Sequence, residues 1–453
     1  MQLRFINHAS FVCEHGGARL ISDPWLYGTA FNDGWDLVCR SPIGAAELAE
    51  MNYVWYSHEH PDHFSPRVLQ DVPAERRRGV TVLYRKTRDG KVLGFCRKLG
   101  FQTLELADGV PVELAGGLRV TCQHVPLFDS WLLLEAGGTR LLNLNDAVVQ
   151  TRAELRRLAE RVGRLDVLFT QFSYAAWRGN RGDTELRRAD ARKKLDVVRA
   201  QVRALAPRFT VPFASMSYFS HEENSFTSDA INHPWEVLDE IAACGSTPVL
   251  LYPGDAWTVG DAHSNATAAE RYRADYALLG QRPLHHSASV PLDALGAAAQ
   301  SYIQRIRGAN SGWLLELLRH NPVLPTLRPI DIHLWDLDVD VRFSFERGLE
   351  RIERRDPGYD LRMGSDSLAF VFRQAWGIDT LTVNGRFQAD PEALKRLVLT
   401  FGVDMLNNTG ITLGPAFLVD FASIGFLLRI LRRKLESLRR APASQSPEGA
   451  RAA

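Results

Sequence analysis

The chain has 453 residues, 45% of them apolar and 24% charged, with a formal net charge of +1. That length suits a globular protein of two to three domains, and the near-zero charge gives no electrostatic reason to expect a nucleic-acid partner. Five cysteines, Cys13, Cys39, Cys96, Cys122 and Cys244, lack CxxC spacing, which argues against a disulfide frame or an iron–sulfur site and for a reducing cytoplasm. The opening MQLRFINHASFVCEHGG carries Arg, His and Glu where a signal peptide needs an unbroken apolar core.

Residues 2–25 alternate as paired strands: Leu3 to Ile6, Ser10 to Glu14, a Gly16-Gly17 turn, then Arg19 to Ser22. The hairpin leads into Asp23-Pro24-Trp25, where Asp23 serves either to orient a ligand histidine or to begin an Asp-Pro turn. Gly28 to Trp35 is a loop rich in glycine and aromatics, suited to the mouth of a site or to ordinary packing.

The apolar run Tyr53 to Tyr56 then delivers Ser57-His58-Glu59-His60-Pro61-Asp62-His63-Phe64, with three histidines and two carboxylates inside six positions. Two imidazoles at i and i+2 can grip one cation, and Asp62 and His63, past the turn, can face a second. A surface histidine cluster is the bland reading. Four ligand-type residues in this register argue against it.

Ser65 to Leu69 opens a short helix, and Val80 to Tyr84 and Arg119 to Cys122 read as strands. His124 ends the latter, as a structural histidine or as a third ligand to the first cation. A hairpin, Ser130 to Glu135 and Arg140 to Leu144 about Gly137-Gly138, ends in Asn145-Asp146. The two oxygens of Asp146 can bridge two cations while its charge offsets their repulsion. Helix 153–162, strand 165–170, a charged helix 183–206 and strand 209–213 follow, the basic residues of the long helix reading as a solvated face. His221, in His221-Glu222-Glu223-Asn224, can complete the second cation's shell. A strand over 248–251 closes this half, and 261–275 is a polar linker or helix.

The remainder reads as a small α+β lobe: strands between Ile332 and Phe345, a helix from Ser365 to Trp376, a strand from Asp379 to Val383 and a helix from Pro391 to Phe401. Its histidines lack metal-site spacing. The apolar stretch 414–434 is broken by Asp420 and Arg429, and suits an amphipathic helix or contact with a membrane surface better than a span. The tail 441–453 reads as disordered.

Four stretches carry a resemblance: HASFVCEHGGARLISDPWLYGTAFNDGW, YSHEHPDHFS, NLNDA and LAPRFTVPFASMSYFSHEEN. Over about 7–262 the chain resembles the metallo-β-lactamase-like domain of CMP-N-acetylneuraminate hydroxylases, and more loosely UlaG-like lactonases and N-acyl-phosphatidylethanolamine phospholipase D. The resemblance implies an α/β fold, an αββα sandwich, followed by the smaller α+β domain. The expected boundaries are 1–262 catalytic, 263–330 linker or helical, 331–410 lobe, 411–440 helix and 441–453 tail. It implies His58, His60, Asp62, His63, His124 and Asp146 as ligands to two divalent cations, iron or zinc with manganese as a third option, and puts a histidine at 221. Hydrolases of this fold carry their last histidine nearer the strand end, where this chain has Phe213. The hydroxylase also carries a Rieske cluster, and none is expected in this chain, so an oxygenase would draw electrons from a separate electron-transfer protein. SDSLAFVFRQAWGIDTLTVNGRF faintly resembles sterol-carrier-like domains.

Two enzymatic readings follow. One is an iron oxygenase acting on a small or lipid-like metabolite. The other is a zinc or manganese hydrolase of an ester, lactone, amide or phosphodiester, with Asp62 or Asp146 holding the nucleophile. A binding scaffold with a vestigial site is the non-enzymatic alternative.

Overall fold

Val167–Gln171 and Phe209–Phe213 are buried at every position, the pattern of central strands covered on both faces. They lie in a seven-stranded sheet whose order is Thr247–Pro248, Phe209–Phe213, Val167–Gln171, Thr139–Asn143, Ser130–Ala136, Arg119–His124 and Pro111–Glu113. A second seven-stranded sheet runs Ala256–Thr258, Gln2–Asn7, Ser10–His15, Ala18–Ser22, Tyr53–Trp55, Thr81–Arg85 and Gln102–Leu106. In each, antiparallel hairpins give way to parallel strands joined through helices. The computed structural model describes the chain apart from residues 126–128, 322–325, 354–360, 416, 418–424 and 426–453. The tail 441–453 and nearly all of the 414–434 stretch, with the membrane contact expected of it, lie outside the described residues.

The chain divides into two compact units. Met1–Ala175, Arg188–Ser220 and Ser228–His285 form the first. Its core lies between the sheets, where Phe5, Phe11, Leu20 and Trp55 meet Val120, Leu132, Phe169 and Phe213. Phe11 stacks on Phe169 at 4.5 Å between centroids, and Phe169 meets Phe213 edge-on at 4.8 Å. The outer face of the Gln2–Asn7 sheet buries Ile6, Val12, Ile21, Val54 and Val82 with Val68, Leu69, Val92 and Cys96 from helices Pro66–Asp71 and Lys91–Leu99. Leu155, Leu158 and Val162 of helix Arg152–Val162 and Val198, Val202 and Leu205 of helix Thr184–Leu205 join the core from the other sheet's side, so the layers run αββα.

One end of this sandwich is closed by glycine. Gly16, in the turn between Ser10–His15 and Ala18–Ser22, has φ +54°, and a Cβ there would lie 2.2 Å from the carbonyl oxygen of Gly116. Gly116 itself has φ +68°, at the turn before Arg119–His124. No side chain fits between these two turns.

The second unit comprises Ala176–Arg187, His221–Thr227 and the chain from His286. Its five-stranded sheet runs Gly348–Ile352, Val339–Ser344, Ile330–Leu334, Leu361–Met363 and Phe387–Ala389. Helix Leu292–Ala309 buries Leu295, Tyr302 and Ile306, and the Tyr302 ring sits 5.5–5.9 Å from those of Phe343, Phe345, Phe372 and Phe401. The strand expected over 379–383 is instead helix Gly377–Asn384. Ile378, Thr380, Thr382 and Val383 favour strand locally, but burial of Ile378 and Leu381 at i and i+3 against the unit's core decides for helix. Similarly, of the expected strand at 248–251 only Pro248 pairs in the sheet, beside Thr247, while 261–275 largely falls in helix Ala266–Leu278. Among the described residues no helix is long and apolar enough to cross a membrane.

Two expectations concern stability. Phe169→Ala removes a ring that bridges both sheets, and should cost about 3–5 kcal/mol in urea unfolding; an unchanged midpoint would contradict this packing. Burial pushes the Asp404 carboxyl up to about 6, against the pull of Arg305. Its proton is then held more tightly folded than unfolded. Stability should fall by roughly 2–3 kcal/mol as pH rises from about 4 to about 6, and Asp404→Asn should flatten that segment of a stability–pH profile.

Candidate metal centre

Tyr53–Trp55 carries the chain through the sheet, and the turn after it is locked by the His60 carbonyl, which accepts from His63 N at 3.0 Å and Phe64 N at 2.7 Å. Ser65 then caps helix Pro66–Asp71 by accepting from Val68 N. Between these anchors His58, Asp62 and His63 are buried, and His60 is half-buried. The His58 ring lies 4.5 Å from that of His60 and 4.3 Å from that of His63, and Phe31 of the aromatic loop meets His60 edge-on at 5.5 Å.

Asp146 arrives from the opposite sheet, after strand Thr139–Asn143. Asn145 takes a left-handed conformation at φ +56°, held where Asn143 Oδ1 accepts its amide at 2.9 Å. His63 Nε2 lies 3.7 Å and His58 Nε2 3.8 Å from Asp146 Oδ2, whose side chain is 18% exposed. His63 Nε2 is also 3.4 Å from Asp62 Oδ2.

Asp23 ends strand Ala18–Ser22 with φ +36° and no solvent exposure. Its carboxylate accepts from Ser57 N at 2.7 Å, Ser57 Oγ at 2.8 Å and Asn145 Nδ2 at 2.6 Å, and lies 3.2 Å from His63 Nδ1. Sequence left its role open between histidine partner and turn former; the geometry makes it a partner of His63.

His124 ends strand Arg119–His124, half-buried, with its amide donating to Asp108 Oδ1. His221 belongs to the second unit, where Nδ1 accepts from Glu223 N at 3.2 Å and Nε2 lies 3.3 Å from Ser287 Oγ. Beside it, Glu223 pairs with the fully buried Arg386 at 2.6 Å.

Two residues near the cluster were not singled out from sequence. His8 Nε2 lies 3.2 Å from Asp62 Oδ2, and Asp129 Oδ1 lies 3.0 Å from His58 Nδ1. Each stands at a strand end, His8 after Gln2–Asn7 and Asp129 before Ser130–Ala136, which was the available signal.

Burial opposes a charge on His63, but Asp62 and Asp146 beside it raise it well above the usual imidazole range. Burial holds His58 and His60 below the usual imidazole range, so both are neutral. Burial opposes ionisation of Asp62 and Asp146, yet His63 and His8 around the first, and His58 and His63 around the second, pull both below the carboxylate range. Burial and the neighbouring Asp146 push Asp129 up to about 7.

The buried atoms His58 Nε2, His63 Nε2, Asp62 Oδ1 and Asp146 Oδ1 have no hydrogen-bond partner. Leaving such groups unmatched costs about 1–3 kcal/mol each. Ligand atoms about 2.0–2.2 Å from one ion, at angles between octahedral and tetrahedral, stand roughly 3.0–3.5 Å apart, close to the 3.2–3.8 Å here. The residues therefore fit divalent cations, and an imidazole–carboxylate donor set suits iron, zinc or manganese alike. Two Cys-x-His spacings also occur, Cys13-Glu14-His15 and Cys122-Gln123-His124. Both thiols lie in the apolar core, where burial pushes them up to about 12 and about 11.

Residues 2–172 match the family described as the beta-lactamase superfamily domain. A protein of Mycobacterium tuberculosis, named as a Rieske 2Fe-2S iron–sulfur protein, is 26% identical over 279 residues, covering 56% of this chain and 53% of the relative. The cytidine monophosphate-N-acetylneuraminic acid hydroxylase of Danio rerio is 29% identical over 250 residues, covering 50% of this chain and 40% of the relative. The chain thus spans about half the length of the curated relatives it matches. Among solved structures, a diiron beta-hydroxylase from Streptomyces venezuelae aligns with a TM-score of 0.39 and 18% identity, over 56% of this chain and 53% of that one. With two sheets layered αββα and a His-x-His-x-Asp-His turn at the strand ends, the first unit has the architecture of a metallo-β-lactamase fold, and residues 2–172 are similar to the beta-lactamase superfamily domain.

Proposed function

We propose that the chain is a dinuclear metal-dependent oxygenase that hydroxylates a small metabolite with electrons drawn from another protein. The observation that carries the metal-dependent part is the convergence of buried, unpartnered nitrogen and oxygen atoms at His58, Asp62, His63 and Asp146. Similarity to a hydroxylase over half the chain supports oxygenation over hydrolysis. In this reading His58, His60, Asp62, His63, His124 and Asp146 hold two cations. Bound iron supplies redox chemistry toward dioxygen. The chain's own residues set the site around it. Ser57 Oγ and Asp129 flank His58 Nδ1, and Asp23 fixes His63 through its Nδ1, so each ring turns Nε2 inward. Asp146 and His60, less enclosed than His58 and His63, mark the side from which a substrate approaches.

A hydrolase remains the second reading, favoured by the same donor set, which accepts zinc as readily as iron and needs no electron donor. There Asp62 or Asp146 would position a water.

Elemental analysis of protein purified without added metal separates the two. About two irons per chain, with a spectrum that changes on reduction and exposure to oxygen, is expected; two zinc or manganese ions without a redox response would move the assignment to hydrolysis. A further expectation concerns Asp23→Asn, which keeps a residue type tolerant of positive φ and most of the hydrogen-bonding shape. Metal affinity should drop about 10- to 100-fold with an unchanged circular dichroism spectrum, and wild-type affinity would remove Asp23 from the site.

A further inference from the structure

His8 is 1% exposed, and both its backbone and its ring are fixed. Its carbonyl accepts from Ala214 N at 2.8 Å, which joins the end of the first strand to the end of Phe209–Phe213 in the opposite sheet. Its neighbour Asn7 donates from Nδ2 to the Trp25 carbonyl at 2.7 Å. The imidazole stands edge-on to Trp25 and to His63, both at 5.7 Å between centroids. Held this way, Nε2 faces Asp62 Oδ2 at 3.2 Å.

A simple hydrogen bond from His8 to Asp62 explains that one distance. It leaves His63 Nε2 and Asp62 Oδ1, on the same two ligand residues, buried and without hydrogen-bond partners. One cation shared by His8 Nε2, Asp62 and His63 Nε2 would explain all three, since ligand atoms of these residues lie within 4.8 Å of one another. Metal sites that do chemistry commonly take three protein ligands per ion. The strand end beside His8 supplies none, because Phe213 packs into the core against Phe5, Phe11 and Phe169.

We propose that His8 is a direct ligand of the second cation, completing a set with Asp62 and His63. The assignment rests on the two-cation reading above. It makes the first strand of the chain part of the metal centre.

Cobalt titration of the chelator-treated full chain tests it without recourse to activity. Wild type should take up two cobalt ions. His8→Cys should also bind two, and a thiolate-to-cobalt charge-transfer band should appear in the near ultraviolet, which only direct ligation produces. His8→Gln keeps a donor for Asp62 but lacks the imidazole nitrogen, and should weaken the second ion by at least about 100-fold, the upper end of what losing an indirect partner costs. Two tightly held ions in His8→Gln, or two ions in His8→Cys with no band, would overturn the assignment and leave His8 as a hydrogen-bonding partner of Asp62. Fewer than two cobalt ions in wild type would instead overturn the two-cation reading, and this inference with it.

Discussion

One carboxylate, that of Asp23, ties together the parts of the first unit that make the metal centre. It lies on a left-handed backbone that an aspartate adopts at a cost, and it is fully buried. Four contacts offset that cost and serve three needs: the Ser57 amide and hydroxyl fix where the strand Tyr53–Trp55 ends, Asn145 brings in the turn bearing Asp146, and His63 is aimed by its Nδ1. The two sheets meet at this point through side chains as well as through apolar packing. Ser130 Oγ, donating to the Ser57 carbonyl at 2.7 Å, adds a second polar tie between them.

The fold was readable where the pattern is local and long. The fully apolar strands, the helix Arg152–Val162 with its Thr151–Glu154 capping box and the paired glycines of the hairpins all announce themselves within a few residues. Gly377–Asn384 did not, because its β-branched composition points one way and its tertiary packing the other. The site divides along the same line. His58, His60, Asp62 and His63 are contiguous and therefore conspicuous. His8 and Asp129 are ordinary in their own sequence contexts, and only a partner 54 or 71 residues away, Asp62 or His58, gives them meaning. His221 stands beside two glutamates, one of which, Glu223, is engaged by Arg386 and by Trp335 Nε1 at 2.9 Å.

That second cluster matters to its own unit. Arg386 is without solvent exposure and meets Glu223, Asp366 at 3.2 Å and Ser287 Oγ at 2.9 Å. Removing one partner of such a buried pair typically costs about 3–5 kcal/mol. The chain enters this unit in three separate segments, and Glu223 of the short one, Arg386 of the long one and Asn224, which donates to the Asn384 carbonyl at 2.7 Å, bind them together. Glu223 and Asn224 of the HEEN motif thus fasten segments of that unit together.

The two glycine turns at the closed end of the sandwich lie a strand's length from the metal centre. Ser10–His15 runs from beside His8 to Gly16, and Arg119–His124 runs from just past Gly116 to His124. Each is a six-residue strand of about 20 Å. Backbone touches backbone at the glycine end, so the spacing of the sheets here is set by the two turns and leaves no room for a methyl group. At the other end the Asp23–Asn145 and Ser57–Ser130 hydrogen bonds set it.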